Sequence, residues 1–210
     1  MKKQYSLWFS ILILLSGCAA FQVAGEVQNG RYDLLTGRTD AALEHFQRAA
    51  QLDPDYRTDF TRLQESVWSY LGRAYYEKGN NSEARKALER ARSRYEYDYL
   101  ARLYLGLTLG RDRDRHRGLK EIEAGLSGLY NWLEYITYNT YYGQFWDPQR
   151  EIRSEIQRTL AVVPDRDIDW SSLIASAEWV GKKMEDEIDL ARRDEVKERN
   201  RQSERKNKKK

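Results

Sequence analysis

Apolar residues recur at helical spacing in the last third of the chain. Between the turn signals Asp147-Pro148 and Pro164-Asp165, they recur every three or four positions and predict a short amphipathic helix. A longer helix is predicted to begin at Asp169, because an aspartate just before an apolar stripe is a favoured N-cap. The apolar faces comprise Ile152, Ile156, Leu160 and Val163 in the first helix, and Trp170, Leu173, Ile174, Ala177, Val180, Met184 and Ile188 in the second.

The segment before these helices, YNWLEYITYNTYYGQFW at residues 130–146, is rich in aromatic side chains, with eight in seventeen positions. Two interpretations of these rings remain open. They could pack into the core, or they could form a surface that anchors a protein partner or stacks on sugar rings. The residues that share one helical face are Trp132, Tyr135, Ile136, Asn139 and Tyr142.

A different pattern, WSYLGRAY at residues 68–75, follows the spacing W-x2-L-G-x2-Y. Gly79-Asn80 supplies a turn, and a second helix is predicted after it. Gly72 and Ala84 lack bulk, so the two helices can approach closely while larger side chains fill the seams around them. The pattern resembles the tetratricopeptide repeat (TPR). The residues that carry the resemblance are Trp68, Leu71, Gly72, Tyr75, Ala84 and Leu88.

Two further segments resemble the same repeat. Upstream, Ala42 and Phe46 have the spacing of the second-helix signature, and Pro54 ends that helix. Downstream, Gly106 lies 34 residues after the glycine of the central repeat, which is the TPR period. The first two repeats are separated by eight extra residues. The segment DPDYRTDFTRL is predicted to carry them as a longer helix of the second repeat.

The resemblance to TPR proteins implies a site for a protein partner. In that family, the first helix of each repeat lines a concave surface that holds peptides or partner helices. Basic residues beside tyrosine and leucine suit an extended peptide with an acidic group and apolar side chains. Leucines and Tyr104 stand where chaperone-tail clamps have polar residues, so no C-terminal carboxylate ligand is expected. The implied groove residues are Arg31, Leu34, Ser69, Arg73, Tyr76, Leu100, Leu103 and Leu107.

The N-terminus has the order of a secretory signal peptide. Two lysines precede the apolar run Leu7–Leu15, and small residues lead into Cys18, the one cysteine of the chain. The run is about half the roughly 20 residues that a membrane span needs. Leu15-Ser16-Gly17-Cys18 resembles the lipobox of bacterial lipoproteins. The resemblance implies cleavage before Cys18 and a diacylglycerol and an acyl chain on that residue. With Ala19 next, it also implies an outer-membrane location facing the periplasm.

Charge is nearly balanced along the chain, with a formal net charge of +3, so bulk electrostatics give no case for a nucleic-acid partner. The tail, residues 197–210, holds eight basic and two acidic residues. Such a segment cannot bury enough apolar surface to fold, so disorder is predicted. The tail is either a solvated end or a segment attracted to anionic lipid headgroups or acidic glycans such as peptidoglycan.

Catalytic chemistry has little support in the sequence. His45 and His116 have no nucleophile or metal ligand at a useful spacing, so both are expected to be solvated or structural. The acidic triplet Asp165, Asp167 and Asp169 lacks the glycine and late glutamate of a calcium loop. No glycine-rich phosphate loop is present. The chain is therefore predicted not to be an enzyme and to need no metal or cofactor beyond the lipid on its cysteine.

The predicted fold is all-α, a solenoid of about three TPR helix pairs closed by a helical cap. The predicted function is a non-enzymatic adaptor or assembly factor for an envelope complex. The alternative is a peptidoglycan- or polysaccharide-binding module that uses the aromatic cluster and the basic tail. The predicted segments are a signal peptide (1–17), a lipidated tether (18–23), TPR-like repeats (24–132), an aromatic-rich helical cap (133–196) and the basic tail (197–210).

Overall fold

A computed structural model describes residues 21–60, 63–163 and 167–207, without the side chains of residues 59, 60 and 207. The signal peptide and the lipidation site predicted at Cys18 lie outside these residues. The predicted all-α class is confirmed. In chain order, the described elements are α1 (residues 21–35), α2 (Thr39–Leu52), β1 (Arg57–Phe60), β2 (Leu63–Ser66), α3 (Val67–Glu77), α4 (Asn81–Arg94), α5 (Tyr99–Arg111), α6 (Arg115–Asn139), a 3-10 turn (Gly143–Phe145), α7 (Glu151–Val162) and α8 (Trp170–Asn207).

The chain divides into two units. The first contains the residues up to Thr58 together with Gln64–Ala101, and the second contains Asp59–Leu63 and the residues from Arg102 onward. Helix α6 runs past residue 132, where the sequence placed the end of the repeats. Among the described residues, no helix has both the length and the apolar character to cross a membrane.

The first unit contains the predicted close packing of the central helix pair. A Cβ atom added to Gly72 would lie 2.7 Å from Leu88 Cδ2 and 3.3 Å from the Ala84 carbonyl oxygen. The side chains of Ala84 and Leu88 are fully buried. Between the helices, Gly79 has a φ of 78°, and Asn80 caps α4 by accepting a hydrogen bond from the Glu83 amide. A glycine is favoured at such a positive φ, so the predicted turn is confirmed.

The first helix pair, α1 and α2, repeats this packing. A Cβ atom on Gly30 would lie 2.5 Å from Phe46 Cε1, and both Ala42 and Phe46 are fully buried. Helix α2 ends at Leu52, two residues before Pro54, in agreement with the predicted stop. The second-helix signature of the first repeat is therefore confirmed as core.

The segment between these pairs differs from the prediction. The longer helix expected for DPDYRTDFTRL is wrong, because β1 and β2 form a two-stranded hairpin there. Asp53 accepts a hydrogen bond from the Asp55 amide at 2.9 Å, an Asx turn that diverts the chain after α2. Along β2, Leu63 and Glu65 are fully buried with half-buried Gln64 between them, which is the period of a strand.

The second unit holds the α5–α6 pair. A Cβ atom on Gly106 would lie 2.6 Å from the Ile122 amide nitrogen and 2.7 Å from the Gly118 carbonyl oxygen. A Cβ atom on Gly125 would lie 2.7 Å from the Leu103 nitrogen. These helices approach with backbone almost against backbone, so the small residue predicted at Gly106 is required by packing.

The C-terminal helices carry the apolar faces that the sequence predicts. Asp169 caps α8 by accepting hydrogen bonds from the Ser171 amide at 3.0 Å and the Ser172 hydroxyl at 2.6 Å. The predicted break at Pro164-Asp165 lies outside the described residues. The buried members of the two faces are Ile152, Ile156 and Val163 around α7 and Leu173, Ala177, Val180, Met184 and Ile188 in α8.

The basic tail is helical rather than disordered over residues 197–207, because α8 continues to Asn207. Lys197 pairs with Asp194 at 3.0 Å, and Gln202 donates to Glu198 at 3.3 Å and to the Tyr141 hydroxyl at 2.7 Å. Lys, Arg, Glu and Gln have high helix propensity, and pairs at i, i+3 and i, i+4 add to it. The lack of apolar residues therefore does not prevent this segment from forming a helix.

Candidate functional site

The groove residues predicted from the TPR resemblance are mostly inside the protein. Leu34 is half-buried and packs against the core of the first unit. Since a buried side chain cannot meet a partner, the predicted groove is wrong as an open binding surface. The predicted groove residues that are buried are Arg31, Ser69, Arg73, Tyr76, Leu100, Leu103 and Leu107.

Arg73, one of the predicted groove residues, lies in a buried polar network. Arg73, only 3% exposed, donates to Glu65 Oε1 at 2.8 Å, and the Tyr70 hydroxyl donates to Glu65 Oε2 at 2.7 Å. The Thr58 hydroxyl lies 3.1 Å from the Tyr70 hydroxyl. The guanidinium expected to meet an acidic peptide therefore meets a carboxylate of its own hairpin. Removal of one partner from a buried pair of this kind is strongly destabilising, because it leaves an uncompensated buried charge.

Asp98 forms a second buried polar centre in the first unit. Its Oδ2 accepts from the amide and hydroxyl of Ser66, both at 2.9 Å, and its Oδ1 accepts from the Ala101 amide at 3.0 Å. Ser66 in turn caps α3 by accepting from the Ser69 amide at 3.2 Å. Burial raises the pKa of the Asp98 carboxyl above its usual 3.8, although these hydrogen bonds oppose the shift. One carboxyl thus ties together the starts of α3 and α5.

His45 has a structural role, as the sequence suggests. Its Nδ1 lies 2.7 Å from Glu26 Oε2, and Arg48 donates to the same oxygen at 3.0 Å, so α2 is tied to α1. Burial raises the pKa of Glu26, but hydrogen bonds from His45 and Arg48 outweigh burial and leave that pKa below its usual 4.5. The other histidine, His116, is exposed near the start of α6.

An open groove lies elsewhere in the first unit, between α2 and α4 with α3 as its floor. Its volume is about 350 Å³. The Trp68 indole N–H donates to the Pro54 carbonyl at 2.7 Å, and the Arg90 guanidinium stacks over the Trp68 ring at 3.7 Å from the centroid. Gln47 donates to the Tyr75 hydroxyl at 3.0 Å. The α2–α4 groove is lined by Gln47, Ala50, Gln51, Trp68, Leu71, Tyr75, Glu83, Lys86, Ala87 and Arg90.

The aromatic cluster of the second unit is partly core and partly surface. Trp132 and Trp146 are buried and meet edge to face, with ring centroids 4.9 Å apart. Tyr135, Tyr138 and Tyr141 are exposed, at 40%, 73% and 68%. Some of these rings therefore pack into the core, as the first interpretation expects, and others are exposed, which the second interpretation requires.

A buried ion pair fixes the chain after these aromatic residues. Asp147 accepts from the Ile152 and Arg153 amides at 3.1 and 3.0 Å, which caps the start of α7. The Arg153 guanidinium pairs with Asp147 at 3.0 Å and with Glu134 at 3.1 Å. These contacts hold a turn in which Asp147 and Arg150 have φ values of 46° and 59°, a backbone region that is uncommon for residues other than glycine.

An acidic cavity of about 600 Å³ lies beside this turn, against α8. Burial raises the pKa values of Asp186 and Glu187, and Glu187 accepts a hydrogen bond from the Asp147 amide at 2.5 Å. Within the described ranges, no group of three or more His, Cys, Asp or Glu side chains could hold a metal ion.

Comparison with known proteins finds a local match to one family model. The family model of the tetratricopeptide repeat matches residues 34–105. No curated protein and no solved structure matches the chain. The match covers the central helix pair and parts of its neighbours, so the predicted repeat fold is confirmed there. Repeats of this family mediate protein–protein interactions and are typically non-enzymatic.

Proposed function

We propose that this chain is a non-enzymatic adaptor that holds or assembles a protein complex in the bacterial cell envelope. The observation that carries the proposal is the match of residues 34–105 to a repeat whose usual role is protein binding. The close packing of Gly72 against Leu88 supports the match to this repeat, because both residues stand at positions of the repeat pattern. Arg73 is buried and paired with Glu65, so the partner is expected to bind elsewhere on the surface.

The proposed location is the outer membrane, facing the periplasm, with lipid on Cys18 as the anchor. The support is the lysine-led apolar run followed by Leu15-Ser16-Gly17-Cys18. Several acyl chains on one residue anchor a protein stably, since each buried methylene contributes about 0.8 kcal/mol. Cys18→Ala is expected to leave an unprocessed or soluble protein, which cell fractionation and intact-mass measurement will detect. A variant that still appears processed in the membrane pellet would remove the anchor from the proposal.

A second candidate function is binding to peptidoglycan or another envelope polysaccharide. The exposed rings of Tyr138 and Tyr141 favour it, because exposed aromatic faces stack on sugars. Gln202 donates to the Tyr141 hydroxyl, so the basic helix end lies beside that ring. The same basic residues suit anionic lipid headgroups.

Two assays separate the candidates. Crosslinking in intact cells, followed by mass spectrometry of the purified lipidated protein, is expected to recover a specific envelope protein. Co-sedimentation with purified sacculi tests the second candidate, with a Tyr138→Ala, Tyr141→Ala variant and Tyr97→Ala as the matched exposed-tyrosine control. Sedimentation lost only in the double variant, with no crosslinked protein, would replace the adaptor by the glycan-binding function.

A further inference from the structure

The α2–α4 groove is an open concave surface in the unit that carries most of the TPR match. Leu71 and Ala87 form a buried floor, while Ala50, Trp68 and Tyr75 are half-buried and present part of their apolar surface. A volume of about 350 Å³ is in the range of sites that hold a few side chains. Apolar side chains of a partner would therefore find a preformed surface here.

Arg90 differs from its cationic neighbours on α4. Arg85 pairs with Glu89, Lys86 pairs with Glu83, and Arg94 pairs with Asp55. Among the described residues, Arg90 has no carboxylate partner, and its guanidinium stacks over the Trp68 ring. Since Lys86 and Glu83 neutralise each other, Arg90 leaves the groove lining with one uncompensated positive charge.

The stacked geometry prepares Arg90 for one kind of ligand. The indole of Trp68 is itself fixed by its hydrogen bond to the Pro54 carbonyl. Stacking on this ring restricts the guanidinium, and the planar fork of its N–H donors matches a carboxylate. Charge-assisted bidentate pairs are stronger than hydrogen bonds between neutral groups. The groove thus combines an apolar floor with a pre-oriented carboxylate receptor.

We infer that the α2–α4 groove binds a partner-protein segment that places apolar side chains on Ala50, Trp68 and Tyr75 and an Asp or Glu carboxylate on Arg90. The inference rests on the proposed adaptor function and adds the site and the chemistry of its ligand. It also moves the site from the predicted groove of Arg73 and Tyr76, which are buried, to the other flank of α3.

The test uses random-peptide phage display on the purified full-length mature protein, followed by fluorescence anisotropy with the enriched peptides. Enriched peptides are expected to carry Asp or Glu flanked by apolar residues. Arg90→Glu is expected to weaken binding by about tenfold or more, because a charge-assisted pair is replaced by like-charge repulsion. Arg90→Lys is expected to have a smaller effect, since it keeps the charge and loses the planar fork.

Arg85→Glu is the matched control, because it makes the same charge change on the same helix outside the groove. Equal losses in Arg85→Glu and Arg90→Glu would overturn the inference, since net charge alone would then explain binding. Peptides without acidic residues, peptides that bind Arg90→Glu unchanged, or no enrichment would overturn it as well. The adaptor function has its own test: a protein crosslinked in cells with equal yield from wild type and Arg90→Glu would retain the function and reject the groove.

Discussion

Replacing Gly72 by alanine tests the packing of the central helix pair. The added Cβ atom would lie 2.7 Å from Leu88 Cδ2 and 3.3 Å from the Ala84 carbonyl oxygen, and Leu88 is fully buried. Neither neighbour can move without disturbing the core, so we expect an overpacking cost of about 1–3 kcal/mol. Alanine also gains about 1 kcal/mol in helix propensity over glycine, which hides part of that cost.

Gly25→Ala provides the matched control for the propensity gain. Gly25 lies in α1 of the same unit, and a Cβ atom there would meet nothing within 4 Å. Both substitutions gain helix propensity, so the difference between them reports the packing cost at Gly72. In urea unfolding followed by circular dichroism, the free energy of unfolding of Gly72→Ala should be lower than that of Gly25→Ala by about 1–3 kcal/mol.

A double-variant cycle assigns the clash to Leu88. In a Leu88→Ala background, Gly72→Ala should cost less than in the wild type, because the closest atoms are gone. Equal free energies of unfolding for Gly72→Ala and Gly25→Ala would refute the reasoning. So would a cost at Gly72 that is unchanged by the loss of the leucine side chain.

Two further predictions concern the buried polar groups. Arg73→Ala should lower the free energy of unfolding by about 3–5 kcal/mol, because it leaves Glu65 buried without its cation. Arg38→Ala is the control, since it breaks the more exposed pair with Asp33. It should change the free energy of unfolding in urea much less. The raised pKa of Asp98 means that the folded state binds more protons than the unfolded state above pH 3.8. Wild-type stability relative to Asp98→Asn should therefore fall as pH rises from 3.8 through the folded-state pKa. Urea unfolding of both proteins across this pH range measures the difference in their free energies of unfolding. If the stability of the wild type relative to Asp98→Asn rose with pH, the raised pKa of Asp98 would be contradicted.

Features set by local sequence could be predicted, and features set by distant contacts could not. The small residues Gly72 and Ala84 follow from one repeat period, and the cap at Asp169 follows from the residues beside it. The repeat pattern predicts a partner's acidic group for Arg73, whereas the carboxylate that it meets, Glu65, lies in a hairpin that the repeat pattern does not contain. An Asx turn at Asp53 was the local signal for that hairpin.

The open α2–α4 groove likewise could not be predicted from the sequence. It depends on three helices meeting, and on Arg90 stacking across Trp68 rather than pairing along its own helix. Helix formation in the tail depends on pairs such as Lys197 with Asp194, which composition alone does not weigh. Hydrophobic periodicity thus predicts the helices, while the polar contacts that decide which surface stays open depend on the tertiary structure.

Site-specific photo-crosslinking in living cells tests directly whether the α2–α4 groove binds a partner protein. A photoreactive amino acid at Gln51, on the groove lining, is compared with one at Ser93, which is exposed on α4 outside the groove. We expect a discrete protein adduct from position 51 and none from position 93, identified by mass spectrometry. No protein adduct from either position, with glycan recovered on the purified chain, would contradict the adaptor function.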